Sequence, residues 1–175
     1  MFTTLAARAA ALPVAVVTGL CGGGGQQPAV RIDPRAPVIT RDDIVIHAPL
    51  ERIWRIQTDI GAWPSWQPDV TRTEWLTPGP LRTGSVFRWS VHGLSDITST
   101  VREVRPPHRI VWGGPAQGIT AVHVWTFTPV RDGVRVHTEE SWAGAPVEAA
   151  RPELQAALDA SLDAWLHHLK AQAEG

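Results

Sequence analysis

At 175 residues, 43% hydrophobic and 19% charged, the chain is sized and composed for one globular domain plus a modest appendage, which excludes a disordered polymer and a membrane bundle. The 16 Lys and Arg against 17 Asp and Glu give a formal charge of -1 with no dense basic run, so nucleic acid is not an expected partner. The lone Cys21 rules out an intrachain disulfide and a cysteine-based zinc site.

Residues 1–39 differ from everything after them. An Ala/Val/Leu-rich stretch from Leu5 to Leu20, with Arg8, leads to Cys21, four glycines and a Pro-containing polar linker. The apolar run has signal-peptide length and is short for a bilayer span. Cys21 before Gly22 to Gly25 has the form of a lipoprotein processing site with a tether, which would give an exported protein anchored to a membrane at Cys21. Leu20 occupies the position where such sites carry a small residue. The other reading is a disordered N-terminal extension or a start assigned too far upstream, on a cytoplasmic protein.

Residues 40–175 are predicted to form the domain. Asp43 to His47 alternates as a short strand, and Ala48-Pro49 then opens a helix that carries Ile53, Trp54 and Ile56 on one face to about Asp59. Trp63-Pro64-Ser65-Trp66-Gln67-Pro68 makes a short turn. Six strands follow, at about Val70 to Leu76, Ser85 to His92, Ser95 to Val104, Arg109 to Gly113, Ile119 to Pro129 and Val134 to Ala143. Pro78-Gly79-Pro80, Gly93, Pro106-Pro107, Gly113-Gly114-Pro115 and Arg131-Asp132-Gly133 separate them, and connections this short force antiparallel neighbours. Ala143 to Pro146 is a hinge. From about Pro152 to Ala173 Leu154, Leu158, Leu162, Trp165, Leu166 and Leu169 recur at helical spacing, so the chain ends in a long amphipathic helix.

This order, with Ala48-Pro49 opening a helix that runs through Trp54 to Asp59, the Trp63/Trp66 turn, Gly84 before a strand, Arg105-Pro106-Pro107, Trp112 and Thr138-Glu139-Glu140-Ser141, resembles the START-like (SRPBCC) helix-grip superfamily. Within it the chain is similar to the polyketide cyclase/dehydrase and lipid-transport branch over roughly Asp42 to Glu174. The resemblance implies an α+β fold: a seven-stranded curved antiparallel sheet around a long C-terminal helix, with two short helices after the first strand. It implies a hollow between sheet and helix that takes hydrophobic ligands or polyketides, and it carries over no common catalytic set.

Nine Trp accompany three Phe and no Tyr, which points to a lined hollow or a very bulky core. Alternate residues of a strand share a face, so the concave side is expected to carry Phe87, Trp89 and Val91; Ile97, Ser99 and Val101; Ile110 and Trp112; His123, Trp125 and Phe127; and Val134, Val136, Thr138, Glu140 and Trp142. Leu158, Leu162, Trp165 and Leu169 of the helix close one side, and Trp54, Trp63 and Trp66 close one end. The expected ligand contacts are therefore Trp54, Trp63, Trp66, Phe87, Trp89, Ser99, Trp112, Trp125, Phe127, Thr138, Trp142, Leu158, Leu162 and Trp165.

His123 and Glu140 fall on the apolar face of two strands joined by the Arg131-Asp132-Gly133 turn. A two-residue loop sets Trp125 opposite Glu140 and His123 opposite Trp142, whereas a four-residue loop sets His123 opposite Glu140. Either register keeps the pair within about 4.5–8 Å. A buried carboxylate requires a partner, so the pair is either a structural one or an acid/base pair of the kind an aldol-type cyclisation uses. His92, Ser90 and other strand hydroxyls are weaker candidates, and His167-His168 fits a solvated helix face better than a metal site. No Gly-rich phosphate loop, Schiff-base lysine context or metal cluster is visible, so no cofactor is expected. The partner is then a small hydrophobic ligand, bound by a monomer or homodimer. The expected function is binding of a hydrophobic, ring-containing molecule of lipid or polyketide class, with a cofactor-independent polyketide cyclase/dehydratase as the alternative and a protein-interaction module of the same fold as a third class.

Overall fold

The computed structural model describes residues 28–175. In chain order the elements are β1 (Val38–Ile46), α1 (Leu50–Thr58), a 3-10 helix (Ile60–Ser65), β2 (Val70–Trp75), β3 (Val86–Val91), β4 (Leu94–Arg105), β5 (Arg109–Ala116), β6 (Ile119–Val130), β7 (Gly133–Ala143), α2 (Ala145–Ala149) and α3 (Arg151–Glu174). All seven strands form one antiparallel sheet in the order β1-β7-β6-β5-β4-β3-β2. Sequential antiparallel pairing makes β2 to β7 a meander, with residues 76–85 as its longest connection, and β1 pairs with the last strand, as expected for the helix-grip arrangement.

α3 follows its predicted stripe, burying Leu158, Leu162, Trp165, Leu166 and Leu169. It also protects β1, an edge strand whose outer backbone groups would otherwise be free to pair with another chain. Gln155 accepts the Ile39 N–H at 3.2 Å and returns its own amide to the Ile39 carbonyl at 3.1 Å, while Lys170 Nζ donates to the Val45 carbonyl at 2.8 Å. One helix face therefore does two jobs: it closes the concave core and it satisfies the sheet edge.

The concave side is filled unequally. At one end Trp63, fully buried, meets Trp165 edge-on at 5.1 Å, Phe87 at 5.6 Å and Trp112 at 5.6 Å, a plug of indoles in which α1, the 3-10 helix and the second half of α3 converge on the sheet. T-shaped pairs of this kind add to the area term of burial. Toward the other end the residues become small: Gly113, Gly114, Ala116 and Ala121 on the sheet, Ala157, Ala160 and Ser161 on α3. Side-chain volume runs out there, and the sheet and helix stay apart.

Several expectations need correction. The boundary at 40 falls inside β1, and residues 28–36 are packed against the domain. They strap the convex face of the sheet. Asp33 N–H donates to Ser141 Oγ of β7 at 3.1 Å, and Ile32 joins Val111, Val122 and Val124 in a second small core. Val30 N–H donates to Glu103 Oε2 at 2.7 Å, and Arg109 bonds both Glu103 and the Val30 carbonyl. Val111, Val122 and Val124 alternate with the concave set and so form an apolar patch on this face that the strap covers. The reading of Cys21 and its glycines lies outside the described residues.

Gly113-Gly114-Pro115 is not a turn. β5 runs through it to Ala116 and turns at Gln117-Gly118, because a Cβ at Gly113 or Gly114 would overlap the Ala121 or Thr98 carbonyl of the neighbouring strands. The hinge after β7 contains the short helix α2, with Pro146 in its first turn and Val147 buried. Pro49 sits at the N-cap of α1 and accepts the Ile53 N–H through its carbonyl, one step earlier than the first turn.

Candidate ligand-binding site

The unfilled end of the sheet is a cavity of about 620 Å3 between β3 to β7 and the first half of α3. Its walls are Trp89, Val91, Leu94, Ile97, Trp112, Ile119 and Trp142 from the sheet, and Leu154, Leu162 and Trp165 from the helix. Asp69, His92, Gly93 and Gln117 form the rim, where two hairpin tips meet solvent. Beside the Ser99 and Ser161 hydroxyls, the described wall has one ionisable corner. His123 and Glu140 face the hollow from adjacent strands.

The β6–β7 register sets His123 directly opposite Glu140, with Val130 opposite Gly133 and the two residues Arg131-Asp132 in the turn. A two-residue loop centred on Asp132-Gly133 would have moved the pair apart. Gly133 is instead spent inside the strand, at φ 148°, where a Cβ would overlap the Ile46 carbonyl of β1. Glycine at 133 lets β1 pass close to β7 in this register, and the register makes the pair.

Each polar atom of that pair has a partner. His123 Nδ1 lies 3.2 Å from Glu140 Oε2, His123 Nε2 lies 2.8 Å from Thr138 Oγ1, and Trp142 Nε1 donates to Glu140 Oε1 at 2.7 Å. The imidazole is enclosed by indoles, 4.9 Å from Trp112 and 5.1 Å from Trp125 between ring centroids. Burial pushes the His123 pKa down to about 3 by desolvating the imidazolium. The Glu140 side chain keeps 13% exposure, toward the cavity. Burial raises its pKa to about 7, against the opposing pull of the Trp142 N–H. The pair is therefore neutral histidine beside a carboxyl that exchanges its proton near neutrality. With Glu140 ionised, His123 Nδ1–H donates to it and Thr138 O–H donates to Nε2. With Glu140 protonated, either the same tautomer persists and the acid proton faces the hollow, or the acid donates to Nδ1 and Nε2–H turns to Thr138.

The structure divides the expected ligand contacts. Trp89, Ser99, Trp112, Trp142, Leu162 and Trp165 line the cavity with His123 and Glu140, and Trp89 Nε1 is held by Ser99 Oγ at 3.0 Å. Trp63, Phe87, Trp125 and Phe127 do not; they are buried in the aromatic plug and its surroundings, and Trp54 packs edge-on against Phe127 at 5.7 Å. Thr138 lies beneath the wall and reaches the site only through His123. Leu158 packs with Val38 and Val147. Trp66 lines a separate, shallower depression of about 400 Å3 with Arg52, Arg55 and Gln172, which shares no residue with the main cavity. Fully buried Trp63 and Trp125 thus support the hollow without lining it.

Sequence reasoning missed Gln57, which is fully buried: its side-chain oxygen accepts Trp165 Nε1 at 3.2 Å and its carbonyl accepts Trp63 Nε1 at 3.0 Å. The signal was its position four residues after Ile53, on the apolar stripe of α1. Gln67, also buried, accepts His168 Nδ1 at 2.8 Å, so His168 belongs to the helix packing while His167 remains on the solvated face.

The family model described as polyketide cyclase / dehydrase and lipid transport matches residues 37–174. A putative polyketide cyclase of Streptomyces cyaneus is 27% identical over 125 residues, 63% of this chain and 78% of that protein. Among solved structures, a START superfamily protein from Mycobacterium smegmatis superposes with a TM-score of 0.66 at 17% identity, covering 78% of this chain and 97% of the other. The Zhui aromatase/cyclase from Streptomyces sp. R1128 superposes with a TM-score of 0.66 at 16% identity, covering 78% and 93%. At these identities the structural likenesses show a shared helix-grip fold.

Proposed function

We propose, from the premise that this chain belongs to the polyketide cyclase/dehydrase and lipid-transport family, that it binds a hydrophobic, ring-containing small molecule in the cavity beneath the first half of α3. The observation that carries this reading is the wall itself: four indoles, those of Trp89, Trp112, Trp142 and Trp165, around about 620 Å3 of space whose inner wall has one ionisable corner, His123 with Glu140. Flat indole faces suit flat rings. Burying about 300 Å2 of ligand at 25 cal/mol per Å2 contributes about 7.5 kcal/mol. Association costs several kcal/mol of that, which leaves micromolar binding within reach. Titration of the chain with neutral two- to four-ring compounds, followed by tryptophan emission and melting temperature, tests the reading; a panel that moves neither signal removes it.

A second reading, cyclisation or dehydration of a poly-β-ketone, is favoured by the Glu140 carboxyl standing 3.2 Å from His123 in an apolar wall with its pKa near 7. A base in that state is matched to neutral pH. Ionised Glu140 would take a proton from the carbon between two carbonyls of the bound chain. The resulting carbanion would attack a second carbonyl carbon to form the new C–C bond, and the alkoxide would recover the proton from Glu140. His123, held by Thr138, would keep the carboxyl in place and shift tautomer as its charge changes. Full activity on a poly-β-ketone in a His123→Ala, Glu140→Gln double variant would exclude this role.

A further inference from the structure

The cavity lining is one-sided in charge. Among the described residues it holds the carboxyl groups of Glu140 and, at the rim, Asp69, and no Lys or Arg. Only the two imidazoles could supply positive charge, and His123 is enclosed by Trp112, Trp125 and Trp165 with both ring nitrogens within reach of Glu140 and Thr138. His92 stands exposed at the rim. The Trp142 N–H is committed to Glu140, the Trp89 N–H to Ser99 and the Trp165 N–H to Gln57, and the Ser161 hydroxyl in the lining is an uncharged donor.

A carboxylate or phosphate entering such a space would leave water without gaining a cation, and it would meet a group of its own sign. An uncharged oxygen function meets the opposite situation. Glu140 Oε1 and Oε2 each have a lone pair beyond those used by Trp142 and His123, so the ionised carboxyl accepts from a ligand hydroxyl. The protonated carboxyl donates to a ligand ketone while keeping both internal hydrogen bonds.

Resting on the ring-binding reading above, we infer that the ligand is uncharged where it meets Glu140, a ketone or hydroxyl on a ring system, and that Glu140 makes the cavity reject lipids and aromatic acids carrying a carboxylate or phosphate. Glu140 is then the specificity-determining residue of the site, and His123 is a positioning residue that fixes one of its oxygens. The charge pattern separates the two halves of the family description: it suits a polyketone or phenol and turns away fatty acids and phospholipid headgroups.

Two probes that share a ring and differ in charge test this. Isothermal titration of the full chain at pH 8 compares 2-acetylnaphthalene with 2-naphthoate. The ketone is expected to bind, and the carboxylate to bind about a hundredfold more weakly, the size of an unpaired charge moved to a poorly solvated site. In Glu140→Gln the gap closes to about tenfold or less through stronger naphthoate binding. Naphthoate binding as tightly as the ketone in the native chain overturns the inference and leaves ring binding standing. An unchanged gap in a Glu140→Gln protein with a native melting transition also overturns it, since Glu140 is then not the discriminating group. Should that variant fail to fold, the native comparison decides alone. If neither probe binds, the ring-binding reading falls and this inference with it.

Discussion

His123 Nδ1 lies 3.2 Å from Glu140 Oε2, and burial moves the two groups in opposite directions, Glu140 from 4.5 up to about 7 and His123 from 6.5 down to about 3. Between pH 4.5 and 7 the folded chain keeps a proton on Glu140 that the unfolded chain has released, so this group makes stability fall as pH rises through that window. From pH 6.5 down to about 3 the unfolded chain takes up a proton that folded His123 refuses, so stability falls on acidification. The slopes offset each other from about pH 4.5 to 6.5 and leave a plateau with a decline on either side. In Glu140→Gln the alkaline decline disappears. The variant is expected to gain about 1–2 kcal/mol on the native protein at pH 8 relative to pH 5.5 in urea unfolding. An equal difference at both pH values would show that Glu140 ionises as freely in the fold as out of it.

Thr138 acts on the site only through His123. Its hydroxyl lies 2.8 Å from Nε2, and both residues are buried. Thr138→Val keeps the shape and leaves Nε2 without a partner, at a cost of about 1–3 kcal/mol. Nε2 loses its hydrogen bond in either tautomer while Nδ1 stays against Glu140, so in a nitrogen-detected spectrum the Nε2 signal of His123 should shift at constant pH and the Nδ1 signal should change little. A variant that is destabilised while its ring signals stay put would reduce Thr138 to packing.

The parts of this fold that were legible are those that bulky residues write. Leu158, Leu162, Trp165 and Leu169 recur at helical spacing, and Phe87, Trp112, Trp125 and Phe127 alternate along strands, so sheet, helix and concave face follow from period alone. The cavity itself is written by what is missing. Gly113, Gly114, Ala157, Ala160 and Ser161 create space by being small, and the two glycines, followed by Pro115, carry the sequence signature of a turn. A count of large residues cannot tell a wall from a plug, which is why Trp63 and Trp125 were expected to line the cavity. The His123 and Glu140 pair was visible as two polar residues on an apolar face. Its geometry was not, because it depends on Gly133 sitting against β1, a contact between residues far apart in sequence. The strap was hidden in the same way: Val30 and Ile32 are two apolar residues in a polar linker, with nothing local to mark a destination.

That strap gives a third prediction. Ile32, 6% exposed, covers Val111, Val122 and Val124 on the face opposite the cavity. Ile32→Ala removes apolar area from a thin layer that can partly collapse, so the loss is expected at the low end of the core range, about 2 kcal/mol. Ligand affinity should be unchanged, because the strap and the cavity lie on opposite faces of one sheet. A protein that melts as the native chain does would show the strap to be dispensable, and a protein that loses ligand would show that the convex face reports to the concave one.

The fourth prediction asks whether the hollow end is where the ligand goes. Ala157 lines the cavity from α3, one helix position after Ala156, which does not. Ala157→Phe places a ring in the space that the small residues leave open, while Ala156→Phe puts the same ring elsewhere on the helix. Both substitutions carry a helix-propensity penalty of about 0.5 kcal/mol, so their melting temperatures should fall alike and slightly. Their binding should separate: about tenfold or greater loss of affinity for a neutral ring compound in Ala157→Phe, and native affinity in Ala156→Phe, read by calorimetry. The comparison holds fold, composition and aromatic content constant and changes only which side of α3 carries the ring. If Ala157→Phe binds as the native chain does, the site lies elsewhere, and the shallow depression beside Trp66, Arg52 and Arg55 becomes the place to look.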